Sequence, residues 1–186
     1  FQGARNATRC EACAPGAIAN ATGLAAGSNC SAGSFAAGYN ASTCTECARG
    51  FHQPADGRSA CLACAPGTIA GATGRTACSN CSAGSFAAGS NASTCAECDP
   101  GDHQPDPGQA ACLACLPGTI ANDTGRTACA NCSAGSFAAG EANAACTLCD
   151  PGFFQGRAGA TGCHPCGNGS FAGANGSVAC ENCSAG

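Results

Sequence analysis

CSNCSAGSFAAGSNAST, residues 78–94, is one copy of the 17-residue repeat that makes up almost all of this 186-residue chain. Each repeat opens with a C-x-x-C pair, and the pairs begin at residues 10, 44, 61, 78, 95, 112, 129, 146, 163 and 180. The register also continues through residue 27, where Gly27 stands in place of the first cysteine. Counting that first residue as position one, position seven is always glycine, and position nine is Phe, Ile or His. A fixed short period of this kind indicates a repeat array, in which each repeat contacts mainly its neighbours.

A second period of 51 residues lies over the first. Residues 27–77 and 78–128 are identical at 38 of 51 positions, and residues 129–179 begin alike and then diverge. Three repeats with Phe, His and Ile in turn at position nine therefore form a duplicated block. This divides the chain into a partial repeat 1–9, a repeat 10–26, three-repeat blocks 27–77, 78–128 and 129–179, and a partial repeat 180–186.

The composition cannot supply a conventional hydrophobic core. The chain has 28 Gly, 9 Pro, no Met and no Trp. A buried Phe or Ile contributes about 1.5–3 kcal/mol, whereas ordering each residue costs about 1–2 kcal/mol. The 21 cysteines indicate a disulfide scaffold instead. Thirteen residues separate the second cysteine of one repeat from the first of the next, and a disulfide that closes such a loop contributes about 3 kcal/mol.

The fold class that follows is a small disulfide-rich repeat array, an elongated solenoid-like rod of 17-residue repeats. The glycine at position seven, often preceded by proline, predicts a turn just after the second cysteine. A short extended piece that carries position nine, such as residues 85–87, should follow. Abundant alanine makes helix the competing prediction, but Gly or Pro recurs too often, so we expect short β pieces and little helix.

Asparagine gives the next signal. Eleven of the twelve asparagines lie in N-x-[ST] sequences with x not proline: Asn6, Asn20, Asn29, Asn40, Asn80, Asn91, Asn122, Asn131, Asn168, Asn175 and Asn182. This pattern favours a secreted or cell-surface chain with covalent N-glycans and no other cofactor; the alternative is that Asn-rich turns are followed by Ser or Thr by coincidence. In the Asn-Cys-Ser sites the middle cysteine must still find its disulfide partner. The favoured acceptors are therefore Asn40, Asn91, Asn20 and Asn122.

Other chemistries have weaker support. The C-x-x-C pairs could bind zinc in fours, but the repeats run uniformly rather than in twos, and an oxidising compartment favours disulfides. A thioredoxin-type motif is a single C-x-x-C in an α/β setting, not a row of them. Asp102 and Asp106 lack the further ligands that calcium needs. His52 and His103 occupy position nine, where we expect them to pack as flat rings, and His164 stands alone.

The same residues argue against several functional classes. No nucleophile, base and orienting group recur at a useful spacing, so an enzyme is not expected. Net charge is −4, only 10% of residues are charged and there is no basic stripe, which argues against nucleic-acid binding. Apolar runs are short and interrupted, so no membrane segment is expected in this stretch.

The order C-x-x-C-x-x-G-x-F, followed by a further cysteine, resembles the cysteine-rich repeats of ephrin-receptor-like and tumour-necrosis-factor-receptor-like extracellular modules. Residues 78–95 and 61–78 carry it most clearly. The resemblance implies an extracellular rod with a ladder of disulfides, in which the cysteine before x-x-G-x-F bonds to the next cysteine along. Carried over, this gives Cys30–Cys44, Cys47–Cys61, Cys64–Cys78, Cys81–Cys95, Cys98–Cys112, Cys115–Cys129, Cys132–Cys146, Cys149–Cys163 and Cys166–Cys180.

The ladder leaves Cys10, Cys13 and Cys183 unpaired or available for inter-chain bonds. Gly27 removes the partner of Cys13, and Cys10 and Cys183 lie in complementary registers for a head-to-tail bond between chains. The competing pattern pairs first cysteines with first and second with second, as in Cys44–Cys61.

The sequence is compatible with two functions. The first is a structural extracellular glycoprotein that forms or decorates a filament, surface hair or coat, with itself as partner through end-to-end or lateral contacts. The second is the stalk or binding module of a receptor or adhesin, in which case a soluble ligand is also expected. Near-identical blocks, low charge and regular N-x-[ST] sites favour the first.

Overall fold

The computed structural model describes residues 12–19 and 27–184. These residues form no helix, and their regular structure consists of two-residue strands. The strands are Ala17–Ile18 (β1), Ser28–Asn29 (β2), Ser34–Phe35 (β3), Thr45–Glu46 (β4), Phe51–His52 (β5), Leu62–Ala63 (β6), Thr68–Ile69 (β7), Ser79–Asn80 (β8), Ser85–Phe86 (β9), Ala96–Glu97 (β10), Asp102–His103 (β11), Leu113–Ala114 (β12), Thr119–Ile120 (β13), Ala130–Asn131 (β14), Ser136–Phe137 (β15), Thr147–Leu148 (β16), Phe153–Phe154 (β17), His164–Pro165 (β18), Ser170–Phe171 (β19) and Glu181–Asn182 (β20). The predicted disulfide-rich array with short β pieces and little helix is confirmed.

Each pair of strands is an antiparallel hairpin built from two successive repeats. Positions eight and nine of one repeat pair with positions two and three of the next, so that Ser85 in β9 lies opposite Glu97 in β10. A turn at position seven precedes the first strand: the Ser85 amide donates to the Ser82 carbonyl at 3.0 Å. Gly84 within that turn has φ of 80°, which glycine adopts without a Cβ clash. Because an isolated two-stranded hairpin is only marginally stable, each hairpin depends on its cross-link and its neighbours.

The buried interior consists of small residues. The second cysteine of the repeat is fully buried in most repeats, for example Cys81 and Cys98 at 0% exposure. Position ten is also buried, and is alanine or glutamine, as in Ala87 and Gln104. Most rings at position nine, such as Phe86, are only half-buried, and Phe171 is exposed. The position that looks most core-like in the sequence therefore lies at the edge of a core made of disulfide sulfur and alanine.

Successive repeats are joined by the same backbone hydrogen bonds each time. Around Gly84, the Cys98 amide donates to the Gly84 carbonyl at 2.9 Å, and the Gly84 amide donates to the Gln104 carbonyl at 2.7 Å. The Gln104 amide donates in turn to the Arg126 carbonyl at 3.0 Å, and the Gly125 amide to the Cys98 carbonyl at 2.9 Å. These bonds give hydrogen-bond partners to backbone N–H and C=O groups that lie outside the strands. Buried backbone groups need such partners.

Position seven must be glycine for a second reason. A Cβ placed on Gly84 would overlap the carbonyl oxygen of Gly125, which is position fourteen two repeats further on. The same overlap recurs at Gly67 with the carbonyl of Gly108. Position fourteen is itself left-handed, with φ of 68° at Gly125 and 56° at Asn91. The glycine at position seven is thus fixed both by its turn and by close contact with a distant repeat.

Contacts divide the chain into two compact units that interleave in sequence. The units are Phe1–Cys81 with Ala87–Cys95 and Gly108–Ala110, and Ser82–Phe86 with Ala96–Pro107 and Ala111–Gly186. Each of the hydrogen bonds described above lies inside one of these units. The three-repeat blocks of the sequence follow residue identity, whereas these units follow contacts, so the two divisions differ.

Candidate functional site

The most extensive chemical feature of the chain is its row of disulfides. The structure forms nine of them, each with a sequence separation of 14: Cys30–Cys44, Cys47–Cys61, Cys64–Cys78, Cys81–Cys95, Cys98–Cys112, Cys115–Cys129, Cys132–Cys146, Cys149–Cys163 and Cys166–Cys180. These are the pairs that the family resemblance implies, and the first-with-first pattern does not occur among them. Cα–Cα distances of 5.6–5.8 Å lie in the ordinary range for disulfides. Every bond closes one hairpin loop, so each cross-link stabilises its own repeat.

Two of the described cysteines, Cys13 and Cys183, are free thiols, and Cys10 lies outside the described residues. Cys13 is buried, whereas Cys183 is exposed. A Cβ placed on Gly27 would lie 2.5 Å from the Cys13 sulfur. Gly27 therefore occupies the place that a partner cysteine holds in the other repeats.

The candidate glycan acceptors lie on the surface. Nine of them are described, and all nine are exposed: Asn29, Asn40, Asn80, Asn91, Asn122, Asn131, Asn168, Asn175 and Asn182. Asn6 and Asn20 lie outside the described residues. Exposure is a requirement for an N-glycan, because the sugar is bulky and hydrophilic.

The exposed asparagines differ in their surroundings. Asn91 is at position fourteen. Its backbone N–H donates to the Cys64 carbonyl at 2.8 Å, and its backbone conformation is left-handed. Asn80 is at position three, and its carboxamide carbon would lie 3.2 Å from a Cβ on Gly108, so this side chain packs on the glycine of the next repeat. The same contact recurs for Asn29 and Asn131 at position three, and only the stacking of repeats reveals it.

The histidines at position nine contact sulfur. The His52 Nδ1 atom lies 3.1 Å from the Cys78 sulfur, and the His103 Nδ1 atom lies 3.1 Å from the Cys129 sulfur and 3.0 Å from the Leu113 carbonyl oxygen. Both rings are half-buried. Sequence reasoning gave them only a packing role, because each cysteine lies 26 residues away in the chain.

Buried glutamines are a further feature that the sequence did not reveal. Gln104 is 4% exposed, and its Nε2 donates to the Ala111 carbonyl at 2.8 Å while its Oε1 accepts from the Asp106 amide at 3.1 Å. Gln53 and Gln155 make equivalent contacts. Each glutamine therefore stabilises its own loop through two internal hydrogen bonds, which replace hydrogen bonds to water.

No other described side chains converge on a reaction centre. A surface depression of about 390 Å³ is lined by residues 157–164 and Gln155. Its polar side chains are those of Gln155, Arg157, Thr161 and His164; it has no carboxylate, and Cys163 in its lining is held in a disulfide. The carboxylates Glu46 and Glu97 instead accept hydrogen bonds from Thr73 and Thr124 of the following repeat.

The spacing, the closed hairpins and the disulfide row can be compared with known families. Residues 33–81 match the family model described as tyrosine-protein kinase ephrin type A/B receptor-like. The resemblance to ephrin-receptor-like cysteine-rich repeats is therefore confirmed over this segment. The segment contains two complete disulfide loops, Cys47–Cys61 and Cys64–Cys78, and the same loops recur outside it. No curated protein matches the chain.

The matched family is one of receptor-like repeats and not an enzyme family. Disulfide-rich repeats of this kind are typical of extracellular domains, since disulfides persist in oxidising compartments. Among the described residues, no helix has the length and hydrophobicity that a membrane crossing requires.

Proposed function

We propose that this chain is a structural extracellular glycoprotein whose array of repeats forms or decorates a filament, surface hair or coat. The observation that carries the proposal is the uniformity of the junction between repeats. From Gly33 to Gly135, each position-seven glycine uses the same backbone hydrogen bonds and the same contact with position fourteen. A junction that repeats without change can be extended by further repeats with no new chemistry.

The C-terminal repeats have the same glycine conformation as the others. Gly135, like the earlier glycines at position seven, lies against a carbonyl two repeats further on, but a Cβ placed on Gly152 or Gly169 would have no atom within 4 Å. The backbone conformation of these two glycines is unchanged, with φ of 87° and 78°. Their geometry is therefore compatible with the same contact to a further repeat.

N-glycans fit the same proposal. Nine exposed acceptor asparagines are distributed along the described residues, so glycans would project from most of the array. The remaining surface has few charges, and a glycan layer gives such a surface solubility and protects its loops. Glycans are the only covalent addition that the proposal requires.

Electron microscopy of native, unreduced material, with glycopeptide mass spectrometry on the same sample, tests the proposal. The expected result is long uniform fibrils with glycan mass on Asn40 and Asn91. Asn91→Gln should remove one glycan mass, whereas Asn143→Gln, outside any N-x-[ST] sequence, should leave the mass pattern unchanged.

A variant separates folding from assembly. Gly169→Ala adds a methyl group that meets nothing within the chain but would overlap the incoming repeat in an extended array, and its φ of 78° also places the alanine in a strained backbone conformation. The variant should still be secreted with its disulfides intact and should form short particles. Gly125→Ala is the control, because it has the same backbone strain at φ of 68° while the nearest contact of its Cβ would be the Glu97 carboxylate carbon at 3.5 Å, and it should assemble normally. Fibrils of unchanged length from Gly169→Ala would contradict end-to-end extension.

The family match favours a second candidate, the stalk of a cell-surface receptor or adhesin. Receptor-like repeats of the matched kind could hold a binding domain away from the membrane, and such a stalk needs no self-assembly. Short monodisperse particles from wild-type material, carrying glycans but forming no fibrils, would favour this candidate over the structural one.

A further inference from the structure

Two of the nine disulfides have an imidazole beside them. The donor atoms of His52, Cys64 and Cys78 lie within 4.8 Å of one another, and those of His103, Cys115 and Cys129 form an equivalent cluster. The two clusters lie in different compact units and are 51 residues apart in sequence. Two separate occurrences of the same arrangement show that it is a property of the duplicated block.

The neighbouring disulfides occupy the same place in the repeat without the imidazole. In the place where His52 stands before Cys64–Cys78, the repeat before Cys81–Cys95 has Ile69. The repeat before Cys98–Cys112 has Phe86 there. The exposure of the sulfurs is alike in these four pairs: the second cysteine of the repeat is buried and its partner is half-buried. The histidine is therefore the feature that distinguishes Cys64–Cys78 and Cys115–Cys129 from their neighbours.

We propose that each histidine-flanked disulfide is a latent site for a thiophilic divalent cation such as Zn²⁺, opened by reduction. A dithiol reductant gives two electrons and two protons to the disulfide and closes to its own disulfide. Binding of the cation then releases the two thiol protons to solvent and leaves two thiolates and one neutral imidazole as ligands. The reductant attacks the sulfur of the half-buried residue Cys78 or Cys129, because the partner residue Cys64 or Cys115 is fully buried.

The donor set suits zinc. Zn²⁺ binds cysteine sulfur at about 2.3 Å and histidine nitrogen at about 2.0–2.1 Å, and three protein ligands of the Cys₂His type leave a fourth position for water. The His52 nitrogen lies 3.1 Å from the Cys78 sulfur, and a shift of about 0.5 Å would bring them to the separation of about 3.6 Å that these bond lengths give on one tetrahedral ion. The two cysteine sulfurs must also move apart, and they can do so once reduction has broken the bond between them. Neighbouring disulfides hold the rest of the array in place meanwhile.

The test is limited reduction with dithiothreitol in the presence and absence of Zn²⁺. After acid quenching and removal of zinc, free thiols are alkylated and mapped by mass spectrometry, and retained zinc is measured before quenching. With zinc, wild-type protein should be reduced at Cys64–Cys78 and Cys115–Cys129 about 10-fold more than at Cys81–Cys95, because only the first two pairs bind the ion with a histidine. Two zinc ions per chain should be retained, one per cluster.

The repeat supplies its own control variants. His52→Phe places at position nine the residue that Phe35 and Phe86 already occupy, so the variant should fold and keep its disulfides. It should retain one zinc ion per chain and lose the selective reduction of Cys64–Cys78, while His52→Phe with His103→Phe should lose both. Equal zinc retention in all three proteins, or zinc-promoted reduction spread evenly over all disulfides, would overturn the proposal.

Discussion

A substitution at Gly27 tests whether residue 27 occupies the place of the missing disulfide partner of Cys13. The substitution Gly27→Cys restores a first cysteine to the one repeat that lacks it. A Cβ at residue 27 would lie 2.5 Å from the Cys13 sulfur, and the separation of Cys13 from residue 27 is the 14 residues found in every native disulfide. Gly27 has no positive φ, so its backbone accepts a side chain. We therefore expect a tenth disulfide, between Cys13 and the introduced cysteine.

The size of the effect follows from the loop that is closed. In the chain-entropy model a loop of this length contributes about 3 kcal/mol. Since about 1.4 kcal/mol corresponds to a factor of ten, local opening of this repeat should become about 100-fold rarer. The reporter is the Cys30 amide, which donates to the Gly16 carbonyl at 2.9 Å across the same hairpin. Native-state hydrogen exchange at that amide measures the change without requiring the whole array to unfold in two states.

Two controls separate the covalent bond from packing. Gly27→Ser fills the same space but cannot form the bond, and the adjacent Cys13 sulfur should make this variant no more stable than wild type. Selective reduction of the new bond should return exchange at Cys30 to the wild-type rate. If Gly27→Cys left the thiol of Cys13 open to alkylation after unfolding, the inferred proximity of Cys13 and residue 27 would be wrong.

Two further substitutions test the packing between repeats. Gly84→Ala should destabilise its repeat by about 2 kcal/mol or more, because a Cβ overlaps the Gly125 carbonyl and φ is positive; Gly89→Ala, whose Cβ meets nothing within 4 Å, should have little effect on a denaturation midpoint. Gln104→Ala should cost about 1 kcal/mol through the loss of two hydrogen bonds to the backbone, whereas Gln109→Ala on the exposed surface should be neutral by the same assay. Equal effects within either pair would contradict the contacts assigned to Gly84 and Gln104.

The sequence predicts features that depend on one repeat. The period of the cysteines, the glycine turn and the short extended piece at residues 85–86 can be read directly from residue order, because turn chemistry is local. The absence of helix in the described residues follows from the frequency of Gly and Pro in the same way. The pairing of cysteines needed the family resemblance, since spacing alone also permits Cys44–Cys61.

Features that depend on the stacking of repeats were not predictable. Gly84 meets a carbonyl 41 residues away, and His52 meets a sulfur 26 residues away. Both separations depend on the rotation and rise from one repeat to the next, which residue spacing does not specify. The burial of Gln104 was missed for a related reason: a polar residue is expected outside unless its hydrogen-bond partners are known.

In the ladder of disulfides each second cysteine bonds to the next cysteine along the chain, so that every repeat closes its own loop. A disulfide map of native, unreduced protein by mass spectrometry tests this most directly, with proteolysis at neutral or lower pH so that the bonds do not rearrange. We expect a peptide pair that joins Cys30 to Cys44, another that joins Cys47 to Cys61, and the same step at each following repeat. A Cys44–Cys61 link would contradict the ladder and the uniform junction built on it.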